Sequence, residues 1–175
     1  VGMTVSPHVR SLRERIQIDG VPISIQDLSR LVEEAFAVFV RRLENKGELL
    51  HYFELMTALA LLWFARQNVA YAVIETGLGG RFDATNVIRQ SSKFCVFTPI
   101  DLDHQRLLGN TRTEIATEKS GILAPGVYAW SAPQCDEVRV VLDREAATLA
   151  TSFGYSQTVK EEDLAGVKVR RDCPR

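Results

Sequence analysis

Short apolar runs that alternate with helical patterns constrain the fold more than any other feature of this 175-residue sequence. Residues 69–74 form a continuous apolar run that is too short for a helix, and residues 94–100 and 127–130 repeat the pattern. Such runs are typical of parallel strands that are covered on both faces of a sheet. The alternation therefore predicts an α/β fold with a largely parallel sheet flanked by helices.

Apolar spacing and capping residues mark the helical segments. A capping box from Thr111 to Glu114 opens one helix, and Gly121 ends it. Residues 52–65 are apolar almost all round, which predicts a buried helix. The predicted helices cover residues 24–47, 52–65, 112–121 and 138–149, and two further short strands cover residues 1–5 and 16–18.

Length and composition describe one globular domain in a reducing compartment. The chain is 46% hydrophobic, and its 21 basic and 22 acidic residues give no excess that would favour nucleic acid or an anionic membrane surface. Three cysteines without metal-ligand spacing favour a cytoplasmic location, and no apolar stretch is long enough to span a bilayer. The pattern weakens after residue 150, which predicts one domain over residues 1–150 with its end or a tail over residues 151–175.

Polar clusters follow three of the predicted strands at the point where each strand ends. They are Ser6-Pro7-His8, the segment from Glu75 to Asn86, and the segment from Asp101 to His104. In open α/β sheets, ligands bind at the carboxyl ends of the strands. We therefore expect the three clusters to share one sheet edge and to form a Mg²⁺ or phosphate site.

Each candidate residue also has a purely structural interpretation. Glu75 is either a strand-end carboxylate satisfied by loop amides or a ligand for a hard cation such as Mg²⁺. His104 is either catalytic or a solvated side chain, and Lys119 near a helix end also suits the helix dipole. The glycines at 77 and 79 do not complete a dinucleotide-binding fingerprint, and no Gly-Lys pair provides a nucleotide phosphate loop.

Six short motifs occur in an order that matches one enzyme family. The most specific is Gly-Leu-Gly-Gly-Arg-Phe-Asp-Ala-Thr-Asn, from Gly77 to Asn86. The others are Ser6-Pro7-His8, Arg13-Glu14-Arg15-Ile16, Tyr52-Phe53-Glu54-Leu55 with Thr57-Ala58-Leu59-Ala60, Leu102-Asp103-His104 with Leu108-Gly109-Asn110-Thr111, and Glu118-Lys119-Ser120-Gly121-Ile122. Together they resemble the folylpolyglutamate synthase/dihydrofolate synthase group of the Mur ligase superfamily, closely up to the region of residue 134 and more loosely to residue 150.

The resemblance implies an ATP-dependent amide ligase whose substrates are ATP, L-glutamate, and dihydropteroate or a folate. In such enzymes ATP activates a substrate carboxylate as an acyl phosphate, which the amine of L-glutamate then attacks. By resemblance, Glu75, His104 and Ser6 match the Mg²⁺ ligands of the family. Lys119 matches a lysine that the family carries as a carbamate and uses as a metal ligand. The expected catalytic residues are accordingly Lys119, His104 and Glu75.

The glycine-rich loop would lie near the phosphates and the pterin. The resemblance assigns nucleotide contacts to Ser6, Gly77, Gly79, Gly80 and Asn86, and substrate contacts to Arg81, Phe82, Asp83 and Thr85. The family also has a phosphate-loop strand and helix and a C-terminal glutamate-ligase domain, and neither occurs in these 175 residues. We therefore expect a partial ATP-binding domain that is inactive alone, with an open sheet edge available for self-association.

Two other functions remain open at this stage. One is a truncated, non-catalytic module that binds folate or a protein partner. The other is a ligase for a different carboxylate, as in peptidoglycan synthesis, and the specific stretch from Gly77 to Asn86 argues against it.

Overall fold

The computed structural model describes residues 1–46, 51–88 and 93–157. They divide into two compact units, Val1–Arg89 and Gln90–Arg175. The strands are β1 (Gly2–Thr4), β2 (Ile16–Ile18), β3 (Val21–Pro22), β4 (Ala72–Ile74), β5 (Phe94–Phe97), β6 (Tyr128–Ser131) and β7 (Ser152–Tyr155). The helices are α1 (Ile25–Lys46), α2 (Tyr52–Arg66), α3 (Gln105–Leu108), α4 (Arg112–Ser120) and α5 (Asp136–Thr148), with 3₁₀ helices at Leu12–Arg15 and Ala84–Val87.

The first unit contains a four-stranded sheet in the order β3-β2-β1-β4. Asp19 and Gly20 both have positive φ angles and turn the chain between β2 and β3, which pair antiparallel. β1 is antiparallel to β2 but parallel to β4, with Thr4 opposite Ile74. The chain therefore leaves β1 and β4 at the same edge of the sheet, as the sequence predicts for the first two polar clusters.

Helix α2 packs against this sheet through a buried apolar face. Leu59 and Ala60 are almost completely buried and Phe64 is 4% exposed, whereas Leu61 and Trp63 are only half-buried. The prediction of a buried helix therefore holds for one face of α2. A Cβ atom on Gly2 would lie 2.7 Å from the Phe64 ring. Glycine in β1 therefore allows the helix to approach the strand closely.

The second unit contains three parallel strands in the order β5-β6-β7. Helices α4 and α5 cover one face of this sheet, and Ile115, Val127 and Leu142 are completely buried in the core. The capping box of Thr111 and Glu114 is present, and α4 ends before Gly121 as predicted. β7 lies in the region where the sequence pattern weakens, because only two of its four residues are large and apolar.

The predicted α/β class with parallel strands and flanking helices is confirmed, but two finer expectations are wrong for the described residues. The strands form two sheets rather than one, and β4 and β5 each lie at a sheet edge. The third polar cluster, which follows β5, therefore does not share the sheet edge of the first two, contrary to expectation. The strands are also not covered on both faces, since Val73, Phe94 and Val96 are each about 60% exposed. In β5 the buried residue Cys95 alternates with these exposed neighbours, so a continuous apolar run here forms a strand with one open face.

Within the described residues, no helix combines the length and the apolar character that crossing a membrane requires.

Core packing in α5 yields a stability prediction. Leu142 is completely buried, whereas Val140 on the same helix is 67% exposed. We expect Leu142→Ala to lower the free energy of unfolding by about 2–5 kcal/mol, because it removes buried methyl groups and leaves a cavity. Val140→Ala should change it by less than about 0.5 kcal/mol. Urea denaturation measures both values, and equal losses for the two variants would contradict the packing described.

Candidate active site

Ser6 and Glu75 meet where β1 and β4 end. The Glu75 N–H donates to the Thr4 carbonyl oxygen at 3.1 Å, which continues the strand pairing by one residue. The Glu75 side chain then accepts a hydrogen bond from the Ser6 N–H, with 2.6 Å between N and Oε2. A carboxylate thus takes the place of a backbone carbonyl where the two strands diverge. The structure brings these two predicted residues together.

A second carboxylate holds the loop that continues from Ser6. The Glu14 side chain accepts the N–H groups of Val9 at 2.8 Å, Arg10 at 3.1 Å and Ser11 at 2.8 Å. These bonds, chiefly the one from Val9, lower the pKa of Glu14 below its ordinary value. Glu14 has no predicted site role, although Ser11 and Glu14 show the spacing of a capping box in the sequence.

The imidazole of His8 in the same loop is held by Arg15. The Arg15 Nε–H donates to His8 Nδ1 at 3.0 Å, and its guanidinium carbon lies 5.5 Å from the centre of the Tyr52 ring. Because arginine only donates hydrogen bonds, Nδ1 of His8 is the acceptor nitrogen. The Arg15 side chain therefore holds the ring of His8 in orientation.

The loop that follows Glu75 is closed by its own side chains. Asp83 accepts the Leu78 N–H at 2.8 Å through Oδ2, and it accepts the N–H and hydroxyl of Thr85 at 2.9 and 2.5 Å through Oδ1. The Asn86 side-chain amide donates to the Arg81 carbonyl at 3.1 Å. Asp83, Thr85 and Asn86 therefore brace the loop from within, whatever further contacts they make.

Glycines allow this loop to pack tightly. A Cβ on Gly77 would lie 2.4 Å from the Phe53 ring at the start of α2. Gly79 has a φ of 68°, and both Gly79 and Gly80 are buried. Phe82 is 89% exposed, in contrast. The predicted nucleotide-contact and substrate-contact residues of this loop thus share one compact turn whose Phe82 side chain is open to solvent.

His104 lies in the second unit, between β5 and α3. It is the N-cap of α3 and has a left-handed backbone, with φ 49° and ψ 35°. Its N–H donates to Asp103 Oδ1 at 2.7 Å, and its Nε2 lies 3.6 Å from Asp103 Oδ2. The imidazole is 55% exposed. Asp103 therefore restrains a histidine that is accessible to a ligand.

The loop between α3 and α4 is closed in the same manner as the Ser6 loop. Glu114 accepts the N–H groups of Asn110 at 2.7 Å and Thr111 at 3.0 Å. These contacts, chiefly the bond from Asn110, lower the pKa of Glu114. Gly109 has a φ of 119°, and a Cβ there would lie 2.4 Å from the Cβ of Glu114.

Lys119 occupies the last turn of α4 and is half-buried. No three His, Cys, Asp or Glu side chains gather into a metal-sized cluster in the part of the chain that the structure describes. Ser6 and Glu75 belong to the first unit, and His104 and Lys119 belong to the second. The complete set of four predicted metal ligands therefore stays a prediction.

Homologous sequences cover most of the chain. A folylpolyglutamate synthase from Arabidopsis thaliana is 34% identical over 171 residues, which are 98% of this chain and 30% of the relative. A dihydrofolate synthase/folylpolyglutamate synthase from Bacillus subtilis is 40% identical over 156 residues, which are 87% of this chain and 35% of the relative. No protein-family model matches the chain.

Solved structures share the fold. A complex of folylpolyglutamate synthase (FPGS) with AMPPCP and folate has a TM-score of 0.83 at 35% identity, over 88% of this chain and 37% of that one. Mycobacterium tuberculosis folylpolyglutamate synthase complexed with ADP and AMPPCP has a TM-score of 0.79 at 37% identity, over 90% of this chain and 36% of that one.

The parallel strands, the polar loops at their carboxyl ends and these relatives place the chain in a ligase enzyme family. It belongs to the folylpolyglutamate synthase/dihydrofolate synthase family. The chain spans 30% and 35% of the length of the Arabidopsis and Bacillus relatives.

The close packing at Gly77 gives a prediction for the loop. Gly77→Ala should lower the free energy of unfolding by about 1–3 kcal/mol, because its methyl group meets the Phe53 ring. In a Phe53→Ala background the same change should cost much less, since the ring is gone. A double-mutant cycle by urea denaturation measures this coupling. Additive effects of the two substitutions would contradict the contact.

Proposed function

We propose that the chain is part of an ATP-dependent ligase that adds L-glutamate to dihydropteroate or to folate polyglutamates through an acyl phosphate. The observation that carries the proposal is the hydrogen bond between Ser6 and Glu75 at the carboxyl ends of two parallel strands. It joins the Ser6 backbone to the Glu75 carboxylate at the start of the family-specific loop, in a chain whose relatives are named folylpolyglutamate and dihydrofolate synthases. We further propose that both units belong to one Mur-ligase-like ATP-binding domain, residues 1–150.

The donor atoms of the candidate site fit Mg²⁺. Glu75 offers a carboxylate oxygen and Ser6 a hydroxyl, and hard oxygen ligands of this kind are those that Mg²⁺ prefers. The exposed imidazole of His104 and Lys119, as a carbamate, would complete the set. When bound, Mg²⁺ would neutralise the charge that develops on the transferred phosphate.

The remaining residues would position the substrates. Asp83 and Thr85 keep the loop closed, so that Arg81 and the exposed ring of Phe82 contact the folate. The nucleotide lies against Gly77, Gly79, Gly80 and Asn86. The amine of L-glutamate attacks the acyl phosphate, and the tetrahedral intermediate collapses to the amide and phosphate. Preorganised donors and held reactants supply most of the rate enhancement in such a reaction.

We propose that these 175 residues do not ligate glutamate by themselves. They contain no Gly-Lys-Ser or Gly-Lys-Thr sequence, and a nucleotide phosphate loop of that type holds the phosphates through its backbone amides and lysine. We also propose a cytoplasmic location, and self-association of the isolated chain through the edge strands β4 and β5.

Transplanting the chain tests the proposed activity. Residues 1–150 should replace the corresponding stretch of the Bacillus subtilis relative, and ligation of labelled L-glutamate should then be measured with MgATP. Dihydropteroate and reduced folate are offered separately. We expect the chimera to ligate at least one of them, and Glu75→Gln or His104→Ala to reduce turnover at least about 100-fold.

Glu137→Gln is the matched control, because Glu137 is an exposed carboxylate in the first turn of α5. It should leave turnover unchanged. Full turnover in His104→Ala would refute the proposed metal role of that residue. Folate binding by the chain that is indifferent to MgATP, together with an inactive chimera, would favour a non-catalytic binding module.

Lys119 should carry a carbamate. Its formation adds about 44 Da and converts the ammonium group into an anion. In the chimera equilibrated with ¹³C-bicarbonate, we expect a carbamate carbon signal in the ¹³C NMR spectrum that acid removes. Lys119→Arg should abolish the signal, and Lys93→Arg should keep it. A signal that persists in Lys119→Arg would assign the carbamate to another lysine.

A further inference from the structure

The loop from Ser6 to Ser11 connects β1 to the first 3₁₀ helix without regular secondary structure. At both ends of this loop, backbone N–H groups donate to side-chain carboxylates instead of to backbone carbonyl groups. Glu75 accepts the N–H of Ser6, and Glu14 accepts those of Val9, Arg10 and Ser11. Hydrogen bonds from backbone N–H groups to a charged carboxylate are shorter and stronger than neutral ones.

We infer that Glu14 is a positioning residue for Ser6, because its carboxylate holds the loop in the conformation that brings the Ser6 backbone to the Glu75 carboxylate. Only two residues, Pro7 and His8, lie between Ser6 and Val9, and Pro7 has few accessible conformations. Fixing the loop from Val9 to Ser11 therefore limits where Ser6 can lie. The inference rests on the proposed function only for the metal-binding role of Ser6.

A capping box alone does not account for this pattern. Among the described residues, Glu54 in the capping box of α2 accepts the amide of its N-cap residue His51 at 2.9 Å, and Glu114 in that of α4 accepts the amides of its N-cap residue Thr111 and of Asn110 before it. Glu14 accepts the amide of its N-cap residue Ser11 and also those of Val9 and Arg10 before it. Through the two additional hydrogen bonds, Glu14 restrains the loop backbone at Val9 and Arg10 as well as the start of the 3₁₀ helix.

Amide hydrogen exchange and metal binding test the inference on the chain itself. Glu14→Gln keeps the shape of the side chain but sets an NH₂ group against backbone donors, and Glu54→Gln is the matched control. NMR-detected exchange is followed at Ser6, Val9, Arg10 and Ser11, and at core amides of α2 as a measure of global stability. Mn²⁺ affinity is measured by electron paramagnetic resonance, with Mn²⁺ as the probe for Mg²⁺.

We expect Glu14→Gln to accelerate exchange of the Ser6 amide about tenfold or more at unchanged core protection. It should also weaken Mn²⁺ binding by about 10- to 100-fold. Glu54→Gln should do neither. If Glu14→Gln does not fold, Glu14→Asp, which keeps the charge with a shorter reach, takes its place.

Exchange that rises only at Val9, Arg10 and Ser11, with Ser6 still protected, would overturn the inference and leave Glu14 a local cap. Accelerated Ser6 exchange with unchanged Mn²⁺ affinity would support Glu14 as the residue that positions Ser6 and would refute the metal-binding role of Ser6 in the proposed function. If the parent chain binds no Mn²⁺, the metal role in the proposed function fails, and exchange at Ser6 alone decides the role of Glu14.

Discussion

The parallel pairing of β1 with β4 is the constraint on which the first unit depends. It brings the carboxyl ends of two strands together, and the bond from Glu75 to the Thr4 carbonyl carries the pairing into the loops. Helix α2 secures this arrangement at two points, because Phe64 packs where Gly2 lacks a side chain and Phe53 packs where Gly77 lacks one. Phe53 and Phe64 are eleven helical steps apart, about 16 Å, and this stretch of α2 links the strand to the candidate loop.

Carboxylate side chains fix the conformation of the loops between the helices and strands. Glu14, Asp83 and Glu114 each accept at least two backbone amides of the loop they close. An amide–carboxylate bond stabilises a fixed conformation without a regular backbone partner. Loops built in this way have their shape before a ligand arrives, so binding does not have to offset the full entropy of ordering them.

Patterns within single segments predicted most of the secondary structure. The features that were not predicted depend on contacts between segments that are distant in the sequence. The capping box at Thr111 is a local signal, and α4 begins and ends where it indicates. The division into two sheets depends on which strands pair, which an apolar run does not encode. β7 was missed because a serine and a glycine interrupt its apolar residues. A Cβ on Gly154 would lie 2.4 Å from the Trp130 ring of β6, so the glycine that weakens the pattern also lets the neighbouring strand pack there. The strand is thus defined by a neighbour rather than by its own residues.

Glu75 shows why the site was only partly predictable from residue types. The sequence leaves open whether the Glu75 carboxylate accepts a hydrogen bond from a loop amide or binds a cation. These two roles are compatible, because a carboxylate has two oxygens. One carboxylate oxygen, Oε2, accepts the Ser6 N–H. The structural interpretation, a carboxylate satisfied by a loop amide, is therefore correct for that oxygen. The same bond places the Ser6 hydroxyl-bearing residue next to the carboxylate, and no described residue is seen to bind the other oxygen. A strand-end carboxylate with one oxygen fixed is held in orientation, and that is what a metal ligand requires.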